Sequence, residues 1–293
     1  MKNMGPNGLA AVAIATALLL AAGTSVGQGA APISPERIAE ILTSPDRSAA
    51  DRTNDLRRKP DQMLAFIGIR PGMVALDLSA AGGYTTELLA RAAGPTGSVY
   101  GQSRPPSPAR APTPSVVPEG NSHPTAAPAT APPAAPRAAP RPSPVALAER
   151  DARLRAAGVP AAPIAAISRP FDDPLPPELA TERFDLATLM FNYHDLGHLG
   201  VDRASMNKAV FRALKPGGVY VIADHAGRPG TGISESGTLH RVEEAFVRAE
   251  VEAAGFKLLA VGDFLRNPND PRDKNTPDPP QPKDQFVLKF AKP

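Results

Sequence analysis

Cysteine and tryptophan are both missing from the 293-residue chain, and aromatic residues make up only 5% of it. Without cysteine there is no disulfide, no thiolate metal centre and no lipid attached at a lipobox cysteine. A large charge excess is missing too. The formal net charge is +3, with lysine and arginine scattered among the acids. That pattern lacks the basic stripe with which nucleic-acid-binding proteins neutralise phosphates, so no nucleic-acid partner is expected. The apolar run from Leu9 to Ala22 (LAAVAIATALLLAA) stops short of the ~18 residues that a membrane-spanning helix needs.

That run does suit another purpose. Met1-Lys2 gives a short positive start, and the small residues Gly23 to Gly29 follow the apolar stretch, as in a secretory signal peptide over residues 1–29. An uncleaved anchor is the alternative. The first reading places the mature chain in the periplasm or outside the cell, off the membrane after cleavage. Its oligomeric state is left open.

Proline is abundant, with 36 residues in all, concentrated in 104–144 (RPPSPARAPTPSVVPEGNSHPTAAPATAPPAAPRAAPRPSP). Almost no large apolar side chain occurs there, so burial cannot offset the entropy of ordering. The segment is expected to be a disordered, partly polyproline-II insertion. It splits one folded unit into residues 33–103 and 145–293.

On either side of it, strand and helix patterns alternate. The N-terminal part carries helical patterns at Ser34 to Leu42 and Pro60 to Phe66, separated by a polar stretch. An apolar run marks a strand at Met73–Leu78, and further strands are expected at Ser98–Gln102, Ile164–Ile167, Phe184–Tyr193, Val219–Asp224, Phe256–Gly262 and Phe286–Phe290. Helices are expected at Tyr84–Ala93, Val145–Ala157, Asp202–Leu214 and Thr238–Ala254, several of them ended by glycine. This order predicts an α/β fold: a Rossmann-like, seven-stranded, mostly parallel sheet with helices on both faces. No helix separates the last two strands, so they are expected to pair as an antiparallel edge.

In such a sheet, ligands bind beyond the carboxyl ends of the strands. The first strand is followed by Asp77-Leu78-Ser79-Ala80-Ala81-Gly82-Gly83-Tyr84, where glycines admit close backbone approach ahead of a helix N-terminus. A plain strand-to-helix turn is the alternative. The runs DLSAAGGYTTELLAR, FDLATLMFNYHD and FRALKPGGVYVIADH together resemble class I S-adenosylmethionine-dependent methyltransferases. NYHDLGHLGVDRASMNKAVFRALKPGGVYVIADHAG and TLHRVEEAFVRAEVEAAGF are similar to a group of exported bacterial methyltransferases assigned from sequence.

The resemblance implies S-adenosyl-L-methionine as cofactor and a small-molecule methyl acceptor as partner. It implies cofactor contacts from Asp77, Ser79, Ala81, Gly82, Gly83 and Tyr84. An acid after the third strand, here Asp172 in Phe171-Asp172-Asp173, would meet the adenine amino group, and Asn192 would lie where cofactor and acceptor meet. The family's acid at the end of the second strand, which holds the ribose hydroxyls, is absent. Gly101-Gln102-Ser103 stands there, and Gln102 offers an amide instead.

Four of the five histidines fall on this same edge: His194, His198, His225 and His240. With Asp195 and Asp224 they suggest a cluster, from which His194, Asp195, His225 and Asp224 are the candidate catalytic residues. Three readings stay open: a general base, ligands of a divalent metal, or side chains that satisfy loop backbone. No residue is assigned as a metal ligand. His194-Asp195-Leu196-Gly197-His198 resembles the H-E-x-x-H of zinc hydrolases, but that motif needs a helix. Here an apolar strand precedes it and Gly197 weakens a helix. The glycine-rich Ala226–Gly237 is expected to be a mobile lid, and Arg228 and Arg241 are candidates for binding an anionic acceptor.

Overall fold

The structure is a computed structural model. It describes Met1 and residues 31–105, 141–277 and 279–293. The expected signal peptide and nearly all of the proline-rich insertion lie outside the described residues.

Seven strands form one sheet: β1 (Val74–Leu78), β2 (Ser98–Ser103), β3 (Ile164–Ser168), β4 (Phe184–Met190), β5 (Leu214–His225), β6 (Lys257–Gly262) and β7 (Gln285–Ala291). Their spatial order is β3-β2-β1-β4-β5-β7-β6. The pairs β1–β2, β1–β4, β2–β3 and β4–β5 are parallel. β7 runs antiparallel to both neighbours. The expected sheet is therefore present, with one refinement. The last two strands pair antiparallel at the edge as expected, with β7 inserted between β5 and the outermost strand β6. Its FVLKF run is buried at four of five positions, while β6 alternates between exposed and covered residues, as an outer strand does.

The strands alternate their side chains between two apolar layers. Ala75, Val99, Leu186 and Val221 face α1 (Pro35–Thr43), α3 (Pro60–Ile67), α4 (Tyr84–Ala93) and α5 (Ser143–Ala156). Leu76, Leu189, Ile222 and Leu288 face α7 (Arg203–Ala213) and α8 (Glu244–Ala253). Each fully buried aliphatic side chain contributes about 1.5–3 kcal/mol. The order reverses between β1 and β4, and that switch point is where this architecture opens a crevice.

Several elements differ from their sequence patterns, among them β5, which begins at Leu214 instead of Val219. The polar stretch after α1 folds as α2 (Ala49–Arg58), capped by Ser48, whose Oγ accepts from the Asp51 backbone N–H at 3.1 Å. β4 ends at Met190 rather than Tyr193 because Phe191 adopts φ 59°, which turns the chain out of the sheet. The helix expected from Thr238 begins only at Glu244. Before it, His240 has φ 50° and Val242 forms an isolated parallel bridge with Ala226. Finally, Asp195–His198 forms the short helical turn α6. Gly197 does not break it: a Cβ there would lie 2.7 Å from Ile233 Cγ1, so glycine is what lets the next segment dock.

Candidate active site

The loop after β1 is held in an unusual shape. Ser79 and Ala81 both have left-handed backbone (φ 56° and 47°), a conformation that costs non-glycine residues about 1–3 kcal/mol and collects at functional sites. Asp77, at the strand end, is buried. Its carboxylate accepts from Thr86 Oγ1 at 2.6 Å and Thr188 Oγ1 at 2.8 Å. Burial pushes its pKa up to about 6, and those hydroxyls partly offset the rise. Asp77 thus anchors the loop to α4 and β4.

The two glycines differ. Space beyond the Gly82 Cα is open, with nothing within 4 Å of a Cβ there. A Cβ on Gly83 (φ 77°) would collide with Leu147 and Arg150 of α5, so Gly83 serves helix packing. Tyr84 opens α4 and donates from its hydroxyl to Asp55 of α2 at 2.7 Å.

Gln102 is fully buried. Its Oε1 accepts from the Ser79 backbone N–H at 3.2 Å, and its Nε2 donates to the Arg169 carbonyl at 2.7 Å. The amide that was to replace the missing acid is committed to bracing two loops. Asp172 lies exposed on the turn after β3, while its neighbour Asp173 pairs with Arg169.

From the loop, a polar relay leads to the histidines. Ser79 Oγ donates to Asn192 Oδ1 at 2.7 Å, and Asn192 Nδ2 donates to Asp195 Oδ2 at 2.8 Å. Asp195 Oδ1 faces His194 Nε2 at 3.2 Å and His240 Nδ1 at 3.1 Å. On the other side of His194, Asp224 is completely buried. Its carboxylate accepts from His194 Nδ1 at 2.6 Å and from the backbone N–H groups of His194 and His225 at 2.8 and 2.7 Å. The rings form a row. His194 lies 5.4 Å from His225 and 5.7 Å from His240, and His240 lies 5.7 Å from His198.

The electrostatics assign the charge. Burial alone would lower the pKa of His194, but the Asp224 charge and the hydrogen bonds to Asp195 and Asp224 overcome it and lift it to about 10. For Asp195, burial acts upward, and the hydrogen bond and charge of His194, then those of His240, hold the carboxyl down at about 2. These interactions favour the imidazolium form of His194, which lies between two carboxylates. A neutral imidazole acting as base is not what this geometry makes of His194.

The sequence pattern missed Arg58, the last residue of α2. Its guanidinium stacks 3.7 Å from the centroid of the Phe191 ring, a cation–π contact. Burial and the neighbouring Arg57 pull its pKa down to about 9, against the pull of Tyr84, Asp224 and Asp77. It therefore brings a positive charge to the crevice between β1 and β4. No motif marks it, because the contact joins α2 to a residue far along the chain.

Beyond His225 opens a cavity of about 660 Å³ between α2 and the segment leading into β7. Arg57, Lys59, Arg266 and Lys283 line it, with carboxamides such as Asn267 and Gln285; no carboxylate is among the lining residues described, though Arg266 is paired behind the wall with Glu244 and stands 3.6 Å from Asp284. Gln285 Nε2 lies 3.1 Å from His225 Nδ1.

Two expectations change here. Arg241 does not bind an acceptor: it is fully buried, paired with Asp270 at 2.9 Å, and bonded to the Ala226 and Lys274 carbonyls. Arg228 pairs with Glu235. The segment Ala226–Gly237 is stapled down, with Gly227 N–H bonded to the Val242 carbonyl, Glu243 N–H to the Gly232 carbonyl, and Ser236 Oγ to the His194 carbonyl. It lies against α6 and the histidine row.

No family model matches the chain, and neither does any curated relative. Solved structures do. An S-adenosylmethionine-dependent methyltransferase of Aquifex aeolicus is similar at 15% identity and a TM-score of 0.50, over 88% of this chain and 98% of that one. A chain in a complex between the Haloferax volcanii Trm112 methyltransferase activator and a methyltransferase is similar at 16% identity and a TM-score of 0.50, over 89% of this chain and 99% of that one. At such identities the likeness concerns architecture. Among the described residues no helix is long and apolar enough to cross a membrane. The crevice between β1 and β4, with its left-handed loop and histidine row, thus stands on an architecture that these solved methyltransferases share.

Proposed function

We propose that the protein transfers a methyl group from S-adenosyl-L-methionine to an anionic small molecule, in the periplasm or outside the cell. The observation that carries this reading is the cation-lined cavity opening on His225 at the strand-end edge of a methyltransferase fold. The cofactor would supply an electrophilic methyl group on a sulfonium. Residues suited to its methionine end are present: the open side of Gly82, the Ser79–Asn192 pair and the Arg58 cation, which complements a carboxylate. The ribose end is served less well, because Gln102 spends its amide within the protein.

The chain's own residues then orient the acceptor. Arg57 and Lys283 attract its negative charge, and desolvation in the cavity strengthens that attraction. With Gln285 Nε2 donating to His225 Nδ1, the His225 ring keeps its proton on Nε2 and donates it toward the acceptor. His194 and Asp224 hold the His225 backbone and ring in place. An acceptor that arrives already ionised needs no base. Positioning supplies most of the acceleration in such an in-line displacement.

Calorimetry of S-adenosylhomocysteine binding to the folded chain, followed by radiolabelled methyl transfer to a panel of carboxylated and phosphorylated acceptors, tests the proposal. Binding plus transfer to an anionic acceptor is expected. Absence of cofactor binding overturns it. Binding without transfer to any acceptor would favour a second reading, a methyltransferase fold that holds a small molecule without turnover, which the commitment of Gln102 supports.

A further inference from the structure

We infer that His194 Nε2, Asp195 Oδ1 and His240 Nδ1 form a binding site for a divalent first-row transition metal ion such as Zn²⁺. This inference does not depend on methyl transfer. The three ligand atoms lie within 4.8 Å of one another. Two donors each about 2.0–2.1 Å from zinc stand about 3.3 Å apart across a tetrahedral angle. The His194–Asp195 and His240–Asp195 separations are 3.2 and 3.1 Å, so an ion fits among these atoms with small adjustments.

The surroundings are those of a ligand set. His194 presents its Nδ1 to the buried Asp224 carboxylate at 2.6 Å, which fixes the ring and leaves Nε2 facing the site, where a bound ion takes the place of the Nε2 proton. A carboxylate behind a metal-bound imidazole does this in zinc proteins and raises its basicity. Asn192 holds the other oxygen of Asp195, so Oδ1 is the atom turned inward. His240 reaches the site from a left-handed backbone position, φ 50°, a strained conformation maintained beside the cluster.

Exposure also fits. The His194 side chain is 1% exposed, while Asp195 and His240 retain 26% and 16%, which leaves a path for an ion and room for a further ligand from solvent or substrate. His198 is not one of the three: its Nδ1 stands 3.8 Å from Asp195 Oδ1 and hydrogen-bonds Ser236 Oγ at 3.0 Å. The site therefore differs from the helical H-E-x-x-H arrangement in kind. It joins one turn after β4 to a residue 45 positions away. Two imidazoles and one carboxylate, without sulfur, suit Zn²⁺, Co²⁺ or Fe²⁺ over Ca²⁺ or Mg²⁺.

The test uses the full chain, purified without a histidine tag and stripped with chelator. Titration with Zn²⁺ followed by calorimetry is expected to show one equivalent bound, and Co²⁺ is expected to give visible d–d absorption bands. Asp195→Asn and His240→Ala should each weaken binding more than tenfold and abolish the cobalt bands. Asp224→Asn, which leaves all three ligands in place, should weaken binding about 10- to 100-fold. His198→Ala should retain the stoichiometry and the bands. Circular dichroism of each variant shows that the fold is kept. The inference is overturned by a wild-type chain that takes up no stoichiometric ion. Binding unchanged in both Asp195→Asn and His240→Ala overturns it too, as does binding lost in His198→Ala but kept in His240→Ala.

Discussion

Two groups of buried charge sit on the same sheet and behave in opposite ways. On the face covered by α4 and α5, Glu87 accepts from Arg91, Arg150 and Arg153, while Arg91 also reaches Asp46 and Arg150 also reaches Asp51. On the strand-end edge, His194 lies between Asp224 and Asp195, with His240 and His225 beside it. In the first group every carboxylate meets a guanidinium fork that never loses its proton, and α2, α4 and α5 are tied together. In the second, the carboxylates meet imidazoles instead of guanidinium groups, one flank opens on a cavity, and a strained backbone holds part of the set. Permanent charge bound on all sides builds architecture. Titratable charge left one open side is material for chemistry.

The largest expected effect lies in the first group. Glu87→Ala leaves three arginines facing an apolar layer without their shared carboxylate and should destabilise the fold by about 3–5 kcal/mol, read as a lower urea midpoint. The matching change on the edge, Asp195→Asn, keeps an oxygen for the histidines and should move the midpoint far less. Equal losses would erase the distinction between the two groups. His225→Ala should lower methyl transfer to an anionic acceptor about 100-fold with the urea midpoint nearly unchanged, in keeping with loss of one aligned donor. His225→Asn, which can still donate, should recover part of the rate. An alanine variant as active as the parent would remove His225 from the proposed site.

The division between these groups also governs what could be read from sequence. The sheet was legible because Val74–Leu78, Phe184–Met190 and Phe286–Phe290 are short, mostly apolar segments, and such segments report burial on both faces. The gathering of four histidines on one edge followed from topology, since residues that end adjacent parallel strands meet there. What tertiary contacts alone decide was not legible. AADRTNDLRR carries no apolar stripe, and α2 is held by partners such as Arg150, 99 residues away. The register of β7 depends on pairing with β5, not on its own composition. His240 belongs to the cluster through a turn that local helical periodicity concealed, so the pair to watch was His194 and His240 rather than His194 and His198.

A smaller effect separates the groups by pH. The folded pKa of Asp46 is held down at about 2, first by its hydrogen bond to Arg91. The stability from this carboxylate is full above its ordinary value near 3.8 and is lost as pH falls through about 2. His194 runs the other way. Its folded pKa is raised to about 10, so its stability is full below about 6.5 and lost as pH rises through 10. In the metal-stripped chain, Asp46→Asn should flatten the acid limb of the stability profile and His194→Gln the alkaline limb. Asp195, held at about 2, adds an acid limb to the edge as well, so the edge loosens at both extremes and the arginine network only at low pH. Denaturant midpoints measured from about pH 2 to about pH 11 check this, and an alkaline limb that persists in His194→Gln counts against the charged state assigned to that ring.

The mildest prediction concerns the cavity wall. Arg57 lies on α2, next to the structural ion pairs, yet it lines the cavity rather than the Glu87 network. If its charge attracts an anionic acceptor, Arg57→Gln should raise KM several-fold and leave kcat alone, the signature of binding lost equally from ground and transition states. Stability should shift by no more than about 0.5–1 kcal/mol, as for most partly exposed substitutions. The rise in KM should also shrink at high salt, because screening weakens the parent's attraction as well. A variant with unchanged KM at low salt would mean that the acceptor's charge is met elsewhere, and would leave Arg57 with Glu87 and Arg91 on the architectural side of the comparison.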